Sequence, residues 1–138
     1  MSGALTLTVI GHVESPLTEP ERAPKQGDES APDAWLVFTP AVRDALRDLK
    51  VGDEVIILTW LDRADRDTLT VHPRDDPSRP LTGVFSTRSA DRPNPIGLHR
   101  VRIAGIEHGL RLLVHGLEAV NGTPVLDVKP VLDRSSER

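Results

Sequence analysis

The chain has 138 residues, of which 38% are hydrophobic and 28% charged, a composition typical of a globular domain and unlike that of a disordered chain. It contains no cysteine, which excludes disulfide scaffolds, thiolate metal sites and cysteine nucleophiles. Its formal net charge of −4 is not that of a nucleic-acid-binding protein as a whole, so any RNA contact must depend on a local basic patch.

The first predicted elements are a strand, a long loop and a short helix. Apolar residues alternate with threonines early in the chain, which predicts a half-buried strand over residues 5–13. Residues 15–33 contain four prolines and cannot pair continuously in a sheet, so they are predicted to form a long loop. Thr39 as a cap and Pro40 at the first helical position predict the start of a short amphipathic helix that ends before Gly52.

The rest of the chain reads as strands and turns, because twelve prolines and ten glycines leave little room for long helices. Residues 54–61 (EVIILTWL) are nearly all apolar or β-branched and predict a strand covered on both faces, near the centre of the fold. Trp35 is expected in the core. Further strands are predicted at 83–87, 98–106, 110–114 and 124–128, with turns at His108-Gly109 and Asn121-Gly122. These patterns predict one mainly β domain spanning residues 1–138.

Three segments contain residue types that structure alone does not readily explain. Residues 23–27 (APKQG) present a cation and an amide on a turn that ends in glycine. Residues 83–98 (GVFSTRSADRPNPIGL) hold two prolines that fix the backbone around Asn94, and such pre-set angles reduce the ordering entropy of ligand binding. Residues 127–130 (DVKP) place opposite charges two apart, on the same side of a strand. Each segment alone has a structural explanation, and their joint occurrence favours a functional site.

Together these segments resemble the TrmO (TsaA-like) family. The resemblance is carried by GVFSTRSADRPNPIGLHRVRI, the upstream APKQG and the downstream NGTPVLDVKP, and it runs from about Ile10 to Leu132. It implies a compact single β-barrel of about six to seven strands with one short α-helix and long proline-rich loops. It also implies an S-adenosylmethionine-dependent methyltransferase that acts as a homodimer and methylates N6 of threonylcarbamoyladenosine next to the tRNA anticodon.

The resemblance also implies which residues contact the ligands. Cofactor contacts are implied at Pro24, Lys25 and Gln26, at Trp60 and Leu61, at Arg88 and Leu98, and at His115, Gly116, Leu117 and Glu118. Substrate contacts are expected at Arg92 and Asn94. The family's usual Pro-Arg-Gln is Pro-Lys-Gln in this chain, and some relatives carry Phe-His where this chain has Trp60-Leu61. Lysine does not provide the bidentate fork of arginine.

Methyl transfer to a urea-like nitrogen benefits from a base, because the nitrogen lone pair is delocalised. Asp127 and Asp91 are the candidate bases, and Asp127 comes first because Lys129 can orient its carboxylate or keep it ionised. The expected catalytic residues are therefore Asp127, Lys129 and Asp91. Arg88 is expected to bind a carboxylate of the cofactor or the substrate. No metal site is expected, since the five histidines show no metal-ligand spacing.

The expected partners are tRNA and a second copy of the chain. Larger relatives carry a C-terminal extension associated with tRNA contact, so RNA binding in this chain is expected to use one arginine face, formed by Arg63, Arg66, Arg74, Arg79, Arg88, Arg92, Arg100 and Arg102. A neighbouring subunit is expected to cover the loop at 15–33. The chain contains no run of about 18 apolar residues and no secretory signal, which predicts a cytoplasmic protein without a membrane partner.

Two alternatives of a different class stay open at this point. One is a methyltransferase that acts on a small molecule or another nucleoside. The other is a module that binds S-adenosylmethionine without catalysis.

Overall fold

A computed structural model of the chain describes residues 3–16 and 33–132. The described residues form eight strands and one α-helix. In chain order these are β1 (Gly11–Glu14), β2 (Ala34–Phe38), α1 (Arg43–Leu46), β3 (Glu54–Trp60), β4 (Thr70–Val71), β5 (Thr82–Gly83), β6 (Ile96–Glu107), β7 (Arg111–His115) and β8 (Pro124–Pro130). The prediction of a mainly β fold with one short α-helix is confirmed.

Six of the strands close on one another in the order β1-β2-β7-β6-β3-β8, and β8 pairs back onto β1. Every neighbouring pair is antiparallel. Because the ring of strands is closed, none of the six is an edge strand. The two short strands β4 and β5 pair only with each other and lie within the connection between β3 and β6.

Alternating strand positions fill the interior of this closed sheet with apolar side chains. Val55 and Ile57 of β3 are at most 1% exposed, and Val101 and Ile103 of β6 are at most 2% exposed. Burying one such side chain contributes about 1.5–3 kcal/mol, so this interior is the main source of stability. The other strands add Val13, Leu36, Phe38, Leu112, Val114 and Val125 to the same cluster.

The predicted β6–β7 hairpin is confirmed. His108 and Gly109 both lie in the left-handed backbone region, with φ of 54° and 66°, and the Leu110 N–H bonds to the Glu107 carbonyl at 3.1 Å. Two consecutive residues with positive φ are the signature of the type I′ turn that suits the twist of paired strands.

The helical segment begins differently from the prediction. Thr39 makes no side-chain capping hydrogen bond, and Pro40–Val42 form a 3₁₀ turn before the four-residue helix α1. Leu46 on α1 packs into the core, and the chain leaves the helix toward Gly52, whose φ is 97°. Among residues 3–16 and 33–132, no helix is long and apolar enough to cross a bilayer.

Four other expectations are wrong in detail. The first strand begins at Gly11 instead of Leu5: among the described residues, Ile10 makes a single backbone hydrogen bond to β8, and paired register starts at Gly11. β3 is buried on its inner face alone, since a barrel wall has one interior side. The strand predicted at 83–87 is limited to Thr82–Gly83, and a 3₁₀ turn follows. Trp35 lies on the outer wall, with the Arg111 guanidinium 4.9 Å from its ring centroid.

Candidate functional site

Three connections between strands emerge at the same end of the barrel. Since neighbouring strands are antiparallel, β1, β3 and β7 run in one direction and β2, β6 and β8 in the other. These three strands therefore end at the same end of the barrel, and the connections that follow them span residues 15–33, 61–95 and 116–123, of which 17–32 lie outside the described residues. We refer to this end as the motif end. The opposite end carries α1 and the β6–β7 hairpin.

The motif end brings together most of the residues predicted for the site. Trp60, Leu61, Arg88, Asp91, Arg92 and Asn94 lie at the end of β3 or in its connection, and His115, Gly116, Leu117 and Glu118 lie where β7 ends. Pro24, Lys25 and Gln26 belong to the connection after β1, but they fall outside the described residues. Leu98, Asp127 and Lys129 lie within strands β6 and β8.

Leu98 and Asp127 face the same side of the barrel wall. The register places Leu58 opposite Leu98 on β6 and opposite Asp127 on β8. Ile57, the neighbour of Leu58, is fully buried, so Leu58 and both its partners point outward. Leu98 and Asp127 lie on the two strands that flank β3, so they are separated by two interstrand spacings, about 10 Å.

The same outward face continues toward the motif end with a tryptophan. Trp60 pairs with Ile96, and both lie two residues along the strands from Leu58 and Leu98. Ile96 and Leu98 are 44% and 47% exposed. We refer to Leu58, Trp60, Ile96, Leu98 and Asp127 as the outer patch.

Asp127 and Lys129 contact each other as their spacing predicts. The Lys129 Nζ lies 3.2 Å from Asp127 Oδ2, and the Val128 N–H donates to Asp127 Oδ1 at 2.9 Å. Both side chains are about half exposed, so the ion pair contributes at most about 1 kcal/mol to stability. Its main effect is to hold the carboxylate in one orientation.

The connection after β3 is folded around Arg92. Its guanidinium donates hydrogen bonds to three backbone carbonyls, those of Val84 at 2.7 Å, Thr87 at 2.6 Å and Ser89 at 2.7 Å. Asp91 is engaged in the same fold, because its Oδ1 accepts the Asp65 N–H at 2.9 Å. Arg92 and Asp91 were predicted to contact substrate and to act as a base, and in this structure both side chains hold the loop together.

Arg66 joins that connection to the end of β3. Its guanidinium carbon lies 5.1 Å from the Trp60 ring centroid, and its NH2 group donates to Asn94 Oδ1 at 3.1 Å. The Leu61 N–H donates to the Pro95 carbonyl at 2.8 Å. Trp60 and Asn94 are therefore joined through Arg66, by a cation–π contact and a hydrogen bond, and Leu61 is bonded to Pro95 next to Asn94.

Behind Trp60, on the inner side of the barrel wall, polar side chains form a hydrogen-bonded chain. Thr59 Oγ1 lies 2.7 Å from His99 Nε2, and His99 Nδ1 lies 2.6 Å from Glu118 Oε1. Thr59 is fully buried and His99 is 4% exposed, so both ring nitrogens are satisfied as burial requires. We refer to these three residues as the buried chain.

His99 was not among the residues predicted for the site. The period-two alternation of β6 that turns Val101 and Ile103 inward also turns His99 inward, and a buried histidine needs polar partners. The alternation in the sequence therefore indicates a buried histidine at position 99 that needs polar partners. Gly97 provides the space for this arrangement, since a Cβ at Gly97 would lie 2.6 Å from His99 Nε2 and would also collide with Thr59 Oγ1.

The residues after β7 differ in how accessible they are. The Leu117 side chain is fully buried in the core, so any contact it makes with a cofactor is restricted to its backbone. Gly116 has φ of 99°, a conformation that favours glycine. His115 is exposed, and its Nδ1 lies 2.9 Å from Asp33 Oδ1, next to the segment that carries Lys25.

The arginines predicted to form one RNA-binding face do not all present a free guanidinium. The prediction is wrong for Arg92, whose guanidinium is directed at backbone carbonyls. Arg100 donates to Glu54 Oε2 at 3.0 Å, and this hydrogen bond lowers the pKa of Glu54. Arg88 is exposed, and its guanidinium makes no hydrogen bond or ion pair with any other residue that the structure describes.

Among the described residues, neither the surface depressions nor a metal-ligand cluster adds a residue to the site. A surface depression of about 420 Å³ lies at the opposite end, lined by Gly52, Glu54 and Pro130 among others, and it holds none of the predicted residues. Within the described ranges, no group of three or more histidine, aspartate or glutamate side chains is placed to hold a metal ion.

A family model matches most of the chain. The model described as "tRNA-methyltransferase O N-terminal domain" matches residues 12–136. This range includes all three connections that follow β1, β3 and β7 and all of the strands that form the outer patch.

Named relatives and a solved structure are also similar. An Archaeoglobus fulgidus protein named "Probable S-adenosyl-L-methionine-binding protein" is 42% identical over 125 residues, which is 90% of this chain and 33% of the relative. A second protein of that organism, named "S-adenosyl-L-methionine-binding protein", is 39% identical over 91% of this chain and 88% of its own length. The crystal structure of TrmO from Pseudomonas aeruginosa superposes with a TM-score of 0.74 at 29% identity. This chain spans 61% of the length of that TrmO chain and about a third of the first relative.

Proposed function

The chain belongs to the tRNA-methyltransferase O N-terminal domain family, and on that premise we propose that it binds S-adenosylmethionine at the motif end and methylates N6 of threonylcarbamoyladenosine next to the tRNA anticodon. The observation that carries this proposal is that the two described contact segments, at the ends of β3 and β7 and in the connections that follow, lie at one end of the barrel beside an exposed apolar wall. Two relatives whose names state that they bind S-adenosylmethionine support the cofactor.

The residues present at the motif end suit this cofactor. Trp60, Ile96 and Leu98 offer aromatic and aliphatic surface, which is what an adenine ring and a thioether chain bind in proteins. The exposed guanidinium of Arg88, which pairs with no other described residue, suits the carboxylate of the amino-acid part. When bound, the cofactor supplies a methyl group on a sulfonium centre.

Arg88→Ala is expected to weaken S-adenosylmethionine binding about tenfold, or about 1.4 kcal/mol, through the loss of a charge-assisted contact. Isothermal titration calorimetry on the purified chain measures this directly. The thermal unfolding midpoint should stay unchanged, because the exposed Arg88 guanidinium makes no hydrogen bond or ion pair with any other described residue.

Arg47→Ala is the matched control for this variant. Arg47 is also exposed, its Nε lies 3.7 Å from Asp48 Oδ2, and it follows α1 at the opposite end of the barrel. Equal cofactor affinities in the two variants would contradict the cofactor role of Arg88 and assign it to the substrate or to loop structure.

For the chemical step we propose Asp127 as the acceptor of the N6 proton. Asp127 shares the outer patch with Leu98, so a base and a cofactor contact face the same side of the wall. Lys129 orients the carboxylate through the 3.2 Å ion pair and is proposed to act in this way during catalysis. Asp91 is the weaker candidate, because its carboxylate already accepts a backbone hydrogen bond within the loop.

The proposal extends to tRNA as the substrate, a homodimer as the active form and the cytoplasm as the compartment. A second copy is proposed to cover the outer patch and to complete the site, since Ile96 and Leu98 are nearly half exposed in one chain. The exposed arginines in the connection after β3 other than Arg88 are proposed to contact phosphates; they are Arg63, Arg66, Arg74 and Arg79.

A further inference from the structure

The buried chain joins two parts of the molecule that serve different purposes. Thr59 and His99 belong to strands β3 and β6, which form the rigid wall of the barrel. Glu118 belongs to the connection after β7, in which the proposed function places cofactor contacts. The 2.6 Å hydrogen bond between His99 Nδ1 and Glu118 Oε1 therefore links the barrel wall directly to that connection.

The direction of each hydrogen bond follows from the chemistry of the groups. An ionised carboxylate only accepts, so the Nδ1 of His99 carries the proton and donates to Glu118. In the neutral ring the Nε2 then accepts, and the Thr59 hydroxyl donates to it. One imidazole thus connects a hydroxyl inside the barrel with a carboxylate in the connection.

The residues on both sides of Glu118 are packed as well. Leu117 and Ala119, its neighbours on both sides, are 0% and 4% exposed. The Glu118 side chain is 17% exposed and directed at His99, so three successive residues are held in place. Gly116, with its left-handed backbone, begins the same stretch.

We propose that Glu118 is a positioning residue that, through its hydrogen bond with His99, holds the backbone of residues 115–117 in the conformation that binds S-adenosylmethionine. This inference rests on the proposed function. Thr59 contacts the same imidazole from inside the barrel, and it serves the stability of the wall alone. The carboxylate of Glu118 acts as a hydrogen-bond acceptor and does not act as a base or as a charge on the ligand.

Two variants test this inference. Each removes one of the two hydrogen-bond partners of the His99 imidazole, Glu118 or Thr59. Glu118→Ala releases the connection and is expected to weaken S-adenosylmethionine binding about tenfold in calorimetry, because the backbone must then be ordered on binding. Thr59→Val keeps the shape of the side chain and removes only the hydroxyl. It is expected to lower the thermal unfolding midpoint while leaving the cofactor affinity at the wild-type value.

Glu118→Gln separates positioning from charge. The amide oxygen of glutamine still accepts from His99 Nδ1–H, so this variant is expected to recover most of the affinity that Glu118→Ala loses. Hydrogen exchange of the cofactor-free protein gives a second readout. Residues 115–119 should exchange faster in Glu118→Ala and at the wild-type rate in Thr59→Val.

The outcomes that overturn the inference are distinct. Wild-type affinity in Glu118→Ala, with an unfolding midpoint lowered as in Thr59→Val, would show a structural role only. Binding by Glu118→Gln that is as weak as that of Glu118→Ala would show that the charge acts on the ligand. No binding by the wild-type chain would overturn the proposed function, and this inference with it.

Discussion

Asp127→Asn is expected to reduce turnover about a hundredfold, because an amide cannot accept the N6 proton and general-base catalysis typically contributes 10²–10⁴-fold. The carboxylate is held by Lys129 at 3.2 Å, and asparagine at this position keeps an acceptor for that ammonium group. The outer wall should therefore stay intact, and the affinity for S-adenosylmethionine should not change. Single-turnover methyl transfer, together with calorimetric titration of the cofactor, separates the two quantities.

Asp48→Asn is the control for this substitution. The Asp48 side chain is 94% exposed and lies just beyond α1, at the end of the barrel away from the motif end. It should transfer methyl groups at the wild-type rate. Undiminished turnover in Asp127→Asn, despite normal cofactor affinity, would remove Asp127 from the proposed role.

Gly97→Ala is expected to lower the free energy of unfolding by about 1–3 kcal/mol, the usual effect of adding a methyl group to a fully packed interior. The added Cβ would lie 2.6 Å from His99 Nε2 and would also collide with Thr59 Oγ1. The buried chain would have to open, which leaves buried polar groups without partners. Urea denaturation gives the change in free energy, provided that the slope with denaturant is the same in both proteins.

Gly83→Ala provides the matched comparison. A Cβ at Gly83 would meet nothing within 4 Å, and its φ of −59° suits any residue. This variant should be as stable as the wild type. If Gly97→Ala unfolded at the same urea concentration as Gly83→Ala, the tight packing of Gly97 against the buried chain would be refuted.

The strands could be predicted from local patterns where one face is buried. The alternation in β6 and β7 and the His108-Gly109 turn together predict the hairpin, because a half-buried strand has a period of two. The same reasoning failed near Leu5, where apolar residues also alternate but pair with no strand that the structure describes. Pairing depends on distant residues, and a local pattern does not contain that information.

The site was predicted less completely than the strands. The motifs predicted which connections carry the proposed site, and the topology brings the two described connections, after β3 and β7, to one end. Local sequence did not show that Arg92 donates to three carbonyls of its own loop, because motif residues can serve structure as well as ligand binding. It also did not show that His99 meets Glu118, which is distant in sequence and comes close only when β6 and β7 pair.

The central claim is most directly tested by incubating the purified chain with S-adenosylmethionine carrying an isotope-labelled methyl group and tRNA that contains threonylcarbamoyladenosine. The tRNA is then digested to nucleosides and examined by mass spectrometry. The proposed function predicts that the label appears in the N6-methylated form of that nucleoside. Unlabelled threonylcarbamoyladenosine, recovered in full from a reaction in which the chain demonstrably binds the cofactor, would contradict it.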